Sequence, residues 1–145
     1  MNIMKKILLF ALAAMTLAFV ACDKKDKKKS EPEQNPLVGT WQNIEEYGDV
    51  RKEVKYTFDG SNNFSYSDYK YMGGQVHFGQ IFKGSYRIDG DMVYVHYTGF
   101  SWTNDGEHME EQTDFEPYDE NFKYSISGNT LTIIRGEDTE TYTKQ

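Results

Sequence analysis

The chain has 145 residues and one cysteine, Cys22, so no disulfide can close within it. Proline is scarce: three in all, two of them inside 23–36. No apolar run is long enough for a comfortable membrane-spanning helix. The longest, Ile7–Val20, is apolar at every position but Thr16 and covers 14 residues, where a span needs roughly 20. Beyond residue 36 no segment repeats apolar residues at helical spacing, which argues against a helical domain. Positive charge is thin there too. Residues 37–145 hold 9 Lys and Arg against 19 Asp and Glu, a net charge of −10. A nucleic-acid binder needs a basic face to neutralise phosphate, so that class is set aside.

The amino terminus says where the protein goes. Lys5 and Lys6 precede the apolar run, and Ala21 and Cys22 follow it, in the order of a secretory signal. Phe19-Val20-Ala21-Cys22 resembles the lipobox of bacterial lipoproteins. That resemblance implies cleavage before Cys22 and a lipid on its sulfur. An ordinary secretory cleavage beside an incidental thiol is the alternative. Residues 23–36 (DKKDKKKSEPEQNP) carry five lysines and no apolar side chain. Such a segment cannot bury enough surface to fold and serves as a spacer. Its lysines suit an anionic membrane surface. The division expected is a signal at 1–21, an anchor cysteine with Lys-rich tether at 22–36, and one domain at 37–145.

That domain is rich in what strands use. All 11 tyrosines, both tryptophans and seven of the nine phenylalanines lie in it, and aromatic residues favour strands and bury large areas. Apolar and polar residues alternate at Val54–Phe58, Phe64–Ser67, Tyr86–Ile88 and Phe122–Ile126. Turn signals separate the runs: Asp59–Asn63, Gly73-Gly74, Asp89–Asp91, Asn104–Gly106 and Ser127–Asn129, rich in the residues that tolerate positive φ. Residues 86–95 (YRIDGDMVYV) and 124–133 (YSISGNTLTI) share the pattern Y-x-I-x-G-[DN]-x-[VL]-x-[VI], two similar hairpins. The spacing predicts strands near 38–45, 51–58, 62–72, 75–82, 83–89, 92–101, 109–116, 121–127, 130–135 and 139–144, some of which merge. Eight to ten short antiparallel strands with no helix to cover them leave exposed edges unless the sheet closes. The fold class expected is therefore all-β, a single antiparallel up-and-down β-barrel of about 8–10 strands without substantial helix. A two-sheet sandwich is the alternative.

The domain opens Leu37-Val38-Gly39-Thr40-Trp41, followed by Tyr56–Gly60, the two Y-x-I-x-G hairpins and a terminal Thr141–Lys144 strand. Together with the lipobox and tether, this pattern is similar to small bacterial lipocalin-like lipoproteins over nearly all of 37–145. The resemblance implies a lipocalin-like barrel whose end is packed by Gly39 and Trp41, with Arg135 of a late strand stacked on Trp41. It also implies a membrane-anchored, monomeric, non-catalytic protein of a Gram-negative cell envelope, at the outer membrane, binding a small, largely apolar ligand in a cavity of at least about 300 Å³.

The residues leave few other readings. Tyr56, Tyr66, Tyr86, Tyr97 and Tyr124 fall on the inward phase of their strands and are the candidate ligand-facing groups. Tyr69, Tyr71 and Trp102, with the acidic Glu110, Glu111 and Asp114, are a candidate partner surface. They support the alternative function, a protein-binding module such as a tethered protease inhibitor or accessory subunit. The carboxylates of 105–120 lack the D-x-[DN]-x-[DN]-G calcium loop. His77, His96 and His108 have no zinc spacing. No nucleophile, base and orienting group can be assembled, so neither catalysis, metal nor cofactor is expected.

Overall fold

A computed structural model describes Asn35–Gln145; the expected signal, Cys22 and the Lys-rich part of the expected tether lie outside the described residues. Nine strands follow in order: β1 (Gly39–Tyr47), β2 (Val50–Phe58), β3 (Asn63–Met72), β4 (Gln75–Asp89), β5 (Met92–Thr103), β6 (Glu110–Glu111), β7 (Tyr118–Ser127), β8 (Thr130–Arg135) and β9 (Asp138–Lys144). Among the described residues none is helical. Each long strand pairs antiparallel with its neighbours in the chain, β5 pairs with β7, and β9 returns to β1. Eight strands thus close an up-and-down barrel, lipocalin-like in architecture. The two-residue β6 lies beside β5 at Ser101 and Trp102.

Two expected strands, 75–82 and 83–89, are one. β4 runs 15 residues and bends instead of breaking, with a register shift between Lys83 and Gly84. A bulge turns a strand without ending it. Gly84 makes the bend possible. A Cβ there would collide with the backbone carbonyl oxygen of His96, and Phe64 and Tyr97, its two register partners, meet edge to face at 5.6 Å. Gly84→Ala should lower stability by about 2 kcal/mol, because the atom it meets is backbone and cannot rotate away. Urea denaturation followed by circular dichroism checks this, and a change under 0.5 kcal/mol would refute the close approach. The expected strand at 109–116 shrinks to Glu110–Glu111, after which the chain folds back so that Phe115 packs on Phe82, Phe100 and Tyr118.

The barrel has one filled end. Leu37, Trp41, Phe58, Val93, Val95, Phe122, Leu131 and Ile133 are fully buried there, with Phe64 and Tyr86. Trp41 Nε1 donates to Leu37 O at 2.8 Å, which draws the incoming chain across that end as a plug. The turn that follows Phe58 is tied to the same end: Asp59 Oδ1 accepts from Ser61 N and Asn63 N, and Tyr86 OH donates to Asp59 O. Asn35 Nδ2 donates to Tyr86 OH at 2.8 Å, and Gln145 N donates to Thr40 O. The described chain therefore begins and ends at the filled end.

Gly39 and Trp41 lie at the filled end, and the cation over the indole there is Lys144 in place of the expected Arg135. Lys144 Nζ sits 5.1 Å from the centre of the Trp41 ring, and its stem crosses Gly39, where a Cβ would come within 2.9 Å of Lys144 Cε. Gly39 has φ +137°, a conformation side chains rarely adopt. Arg135 is five residues along β8 from its start at the Trp41 end, about 17 Å of strand. It belongs to the opposite end of the barrel and cannot reach Trp41.

Candidate functional site

Above the core the barrel is open. A pocket of about 220 Å³ lies at this mouth, lined by Lys52, Val54, Tyr56, Tyr66, Phe82, Tyr97, Tyr118, Glu120, Arg135, Glu140 and Tyr142. Strand alternation puts these side chains inside: Lys52, Val54 and Tyr56 are successive inward residues of β2, as Tyr118 and Glu120 are of β7.

Arg135 organises the floor. Its Nε donates to Glu120 Oε1 at 2.8 Å, Nη1 to Glu140 Oε2 at 3.1 Å and Nη2 to Tyr56 OH at 2.6 Å. The guanidinium also lies over the Phe122 ring at 4.8 Å. Each carboxylate is held from a second side, since Tyr97 OH donates to Glu120 Oε2 at 2.9 Å and Tyr142 OH to Glu140 Oε2 at 2.7 Å. One network thereby joins β2, β5, β7, β8 and β9. Burial pulls the guanidinium toward neutrality, and Tyr56 and Glu120 more than offset it, so Arg135 is held charged.

The network raises the phenols. Burial pushes Tyr56 up to about 12, partly countered by Arg135. Burial raises Tyr66, Tyr97 and Tyr142 as well, reinforced by Glu120 at Tyr97. These groups are neutral hydroxyls at any physiological pH. A folded-state pKa above the unfolded 10 means that stability is full below pH 10 and is lost as pH rises through the folded value. Absorbance at 295 nm should show the buried tyrosines ionising only near pH 12 and above, together with loss of the fold. All 11 tyrosines titrating together near pH 10, with none lagging, would contradict it.

Three polar groups at the mouth are held loosely. Tyr66 OH is 3.5 Å from Asp68 Oδ2, Lys52 Nζ is 3.8 Å from the same oxygen, and Tyr118 is exposed at the rim. They face the pocket beside the rings of Tyr56, Phe82 and Tyr97. The site therefore offers flat aromatic walls, a fixed charged floor and adaptable donors.

Of the five tyrosines expected to face a ligand, Tyr56, Tyr66 and Tyr97 line the pocket. Tyr86 and Tyr124 do not: Tyr86 is buried at the filled end, and Tyr124 packs half-buried against the core outside the pocket. Alternation places a side chain inside the barrel without giving its height. Lys52, Glu120, Glu140 and Tyr142 are not among the residues the sequence singles out, and Arg135 is expected at the other end. Their inward phase was readable, but charged residues ordinarily point out of a strand.

The expected partner surface is split. Tyr69 lies flat on Gly79, where a Cβ would strike its ring, and Tyr71 packs under Arg51 at 5.3 Å. Trp102 is half-buried in β5, while Glu110, Glu111 and Asp114 are exposed. The acidic loop is ordered from within. Asp105 Oδ1 accepts from Thr103 Oγ1, Glu107 N and His108 N, and these bonds hold its carboxyl well below the usual range. His96 Nδ1 lies 2.7 Å from Asp119 and His108 Nδ1 3.1 Å from Asp105. Among the described residues no three His, Cys, Asp or Glu are placed to hold a metal ion.

Fold and site together define a closed antiparallel barrel with one plugged end and one small polar mouth. No family model, no curated protein and no solved structure matches the chain.

Proposed function

We propose that this is a non-catalytic binding barrel of the lipocalin-like lipoprotein kind. A lipid on Cys22 holds it in a Gram-negative envelope, at the outer membrane, and the 22–36 tether spaces it from the bilayer. Its ligand is small and flat, with an apolar face for the tyrosine rings and a polar edge for Lys52, Tyr66 and Tyr118. The pocket at the mouth carries this reading. Its 220 Å³ falls short of the expected cavity of at least about 300 Å³, so the ligand is smaller than a drug-sized one. Charged groups at the mouth narrow the expected largely apolar ligand to one with a polar end. The carboxylates Glu120 and Glu140 are both engaged by Arg135 and a tyrosine, which supports binding over acid–base chemistry.

Native mass spectrometry of the protein, purified gently from its own host, tests the reading. A reproducible excess mass, lost on denaturation and absent from Tyr66→Phe/Lys52→Met protein, is expected. A bare folded protein that takes up no small molecule from host extract would overturn it. Palmitate released from the same preparation by alkaline hydrolysis tests the anchor separately, and a Cys22→Ser chain should release none.

A further inference from the structure

β1 is paired along its whole length on one side only. Every residue from Gly39 to Tyr47 has a partner on β2. Toward β9 the ladder has two steps, Trp41–Lys144 and Gln42–Thr143, and then stops. Backbone groups alternate in direction along a strand. Thr40 O accepts from Gln145 N, and Thr141 O accepts from Asn43 Nδ2. Even-numbered residues of β1 and odd-numbered residues of β9 therefore aim their backbone at this seam. The N–H and C=O of Ile44 and Glu46 point into it with no β9 partner. Asn43 marks the break, since its side chain takes the Thr141 carbonyl that the ladder would need.

Charge explains why the seam stays open. Continuing the register would set Glu45 opposite Glu140 and Tyr47 opposite Asp138, and like charges opposite one another destabilise a pair of strands. Glu46 and Glu137 add to the same side. Of the nearby cations, Arg51 and Lys55 bind Glu53 and Arg135 binds Glu120 and Glu140, while Lys52, opposite Glu45 on β2, lies 3.8 Å from Asp68. Ile44 is 46% and Tyr47 68% exposed beside these carboxylates. An edge of this kind is a template for an added strand.

We propose that Asn43–Tyr47 of β1 is a docking edge for an extended, lysine- or arginine-bearing segment of a partner protein, added as an antiparallel strand. Main-chain bonds to Ile44 and Glu46 would supply attachment. Basic side chains on the two faces of the added strand would meet Glu45 on one face and Glu46 on the other, and apolar ones beside them would cover Tyr47 and Ile44 on those same faces. A second copy of this chain is a poor occupant, because antiparallel self-pairing centred on this edge places Glu45 against Glu45. The edge is separate from the ligand reading above and survives its failure.

Amide hydrogen exchange read by NMR tests the edge, using a ten-residue peptide that carries lysine beside valine and threonine on both of its faces. At low salt the peptide should slow exchange at Ile44 and Glu46 about tenfold, less as salt rises, and a glutamate-for-lysine peptide should not. Ile44→Pro removes a seam-facing N–H and no β1–β2 bond, and should weaken peptide binding about tenfold. The exposed double change Glu45→Lys/Glu46→Lys serves as a second variant. It should weaken the lysine peptide and admit the glutamate one. Unchanged exchange at Ile44 and Glu46, or lysine-peptide binding that survives both variants, would refute the proposal. So would protection that grows with protein concentration alone, which would give the edge to a second copy.

Discussion

Trp41→Ala should remove about 4 kcal/mol of stability, the largest effect of any single change in the barrel. Three losses coincide. The indole is fully buried, so truncation leaves a cavity at the plug. Its Nε1 bond to Leu37 O disappears, which frees the segment that crosses the filled end. The Lys144 ammonium loses the ring it covers. A domain of this size has about 5–15 kcal/mol in total, so the variant sits near the edge of folding. Thermal denaturation is the measurement, with an expected fall of about 15 °C. Trp41→Phe keeps most of the buried area and should cost about half as much. If the alanine form loses less than 1.5 kcal/mol, the plug is not held by Trp41.

Arg135→Met should cost about 3 kcal/mol and undo the floor of the mouth. Methionine keeps much of the stem's packing and removes the charge and its three hydrogen bonds. What remains is two carboxylates and the Tyr56 hydroxyl without their shared donor. Removing one partner of a buried charged set costs about 3–5 kcal/mol, and the partial exposure of Glu120 and Glu140 lowers that. Adding Glu120→Gln and Glu140→Gln to Arg135→Met should restore about half the loss, because no charge is then stranded. A triple variant no more stable than the single one would show that the methionine acts through packing alone.

How far the sequence reaches can be followed along particular residues. Period-two alternation and the Gly, Asn and Asp turns fix most strand positions, since both are local chemistry. They place Tyr56, Tyr66 and Tyr97 inward correctly. Height along the barrel is not local. It depends on how far each strand slides past its neighbour, so Tyr86 and Tyr124 share the phase of Tyr97 yet lie below the pocket. Arg135 was misplaced for the same reason. Its strand was right and its end of the strand was wrong, while Lys144, register partner of Trp41, took the stacking position. The polar mouth was hidden by a composition rule that holds for open strands. In a closed barrel the last inward positions reach solvent through the mouth, and charges there remain partly hydrated.

Asn35 and Gln145 both lie at the plugged end. A linker, dye or sensor surface attached through either side of the domain is thus held about a barrel's length from the pocket. Immobilised protein should leave the mouth open whichever side is used, and fusion partners on the two sides would crowd each other before they obstruct the mouth.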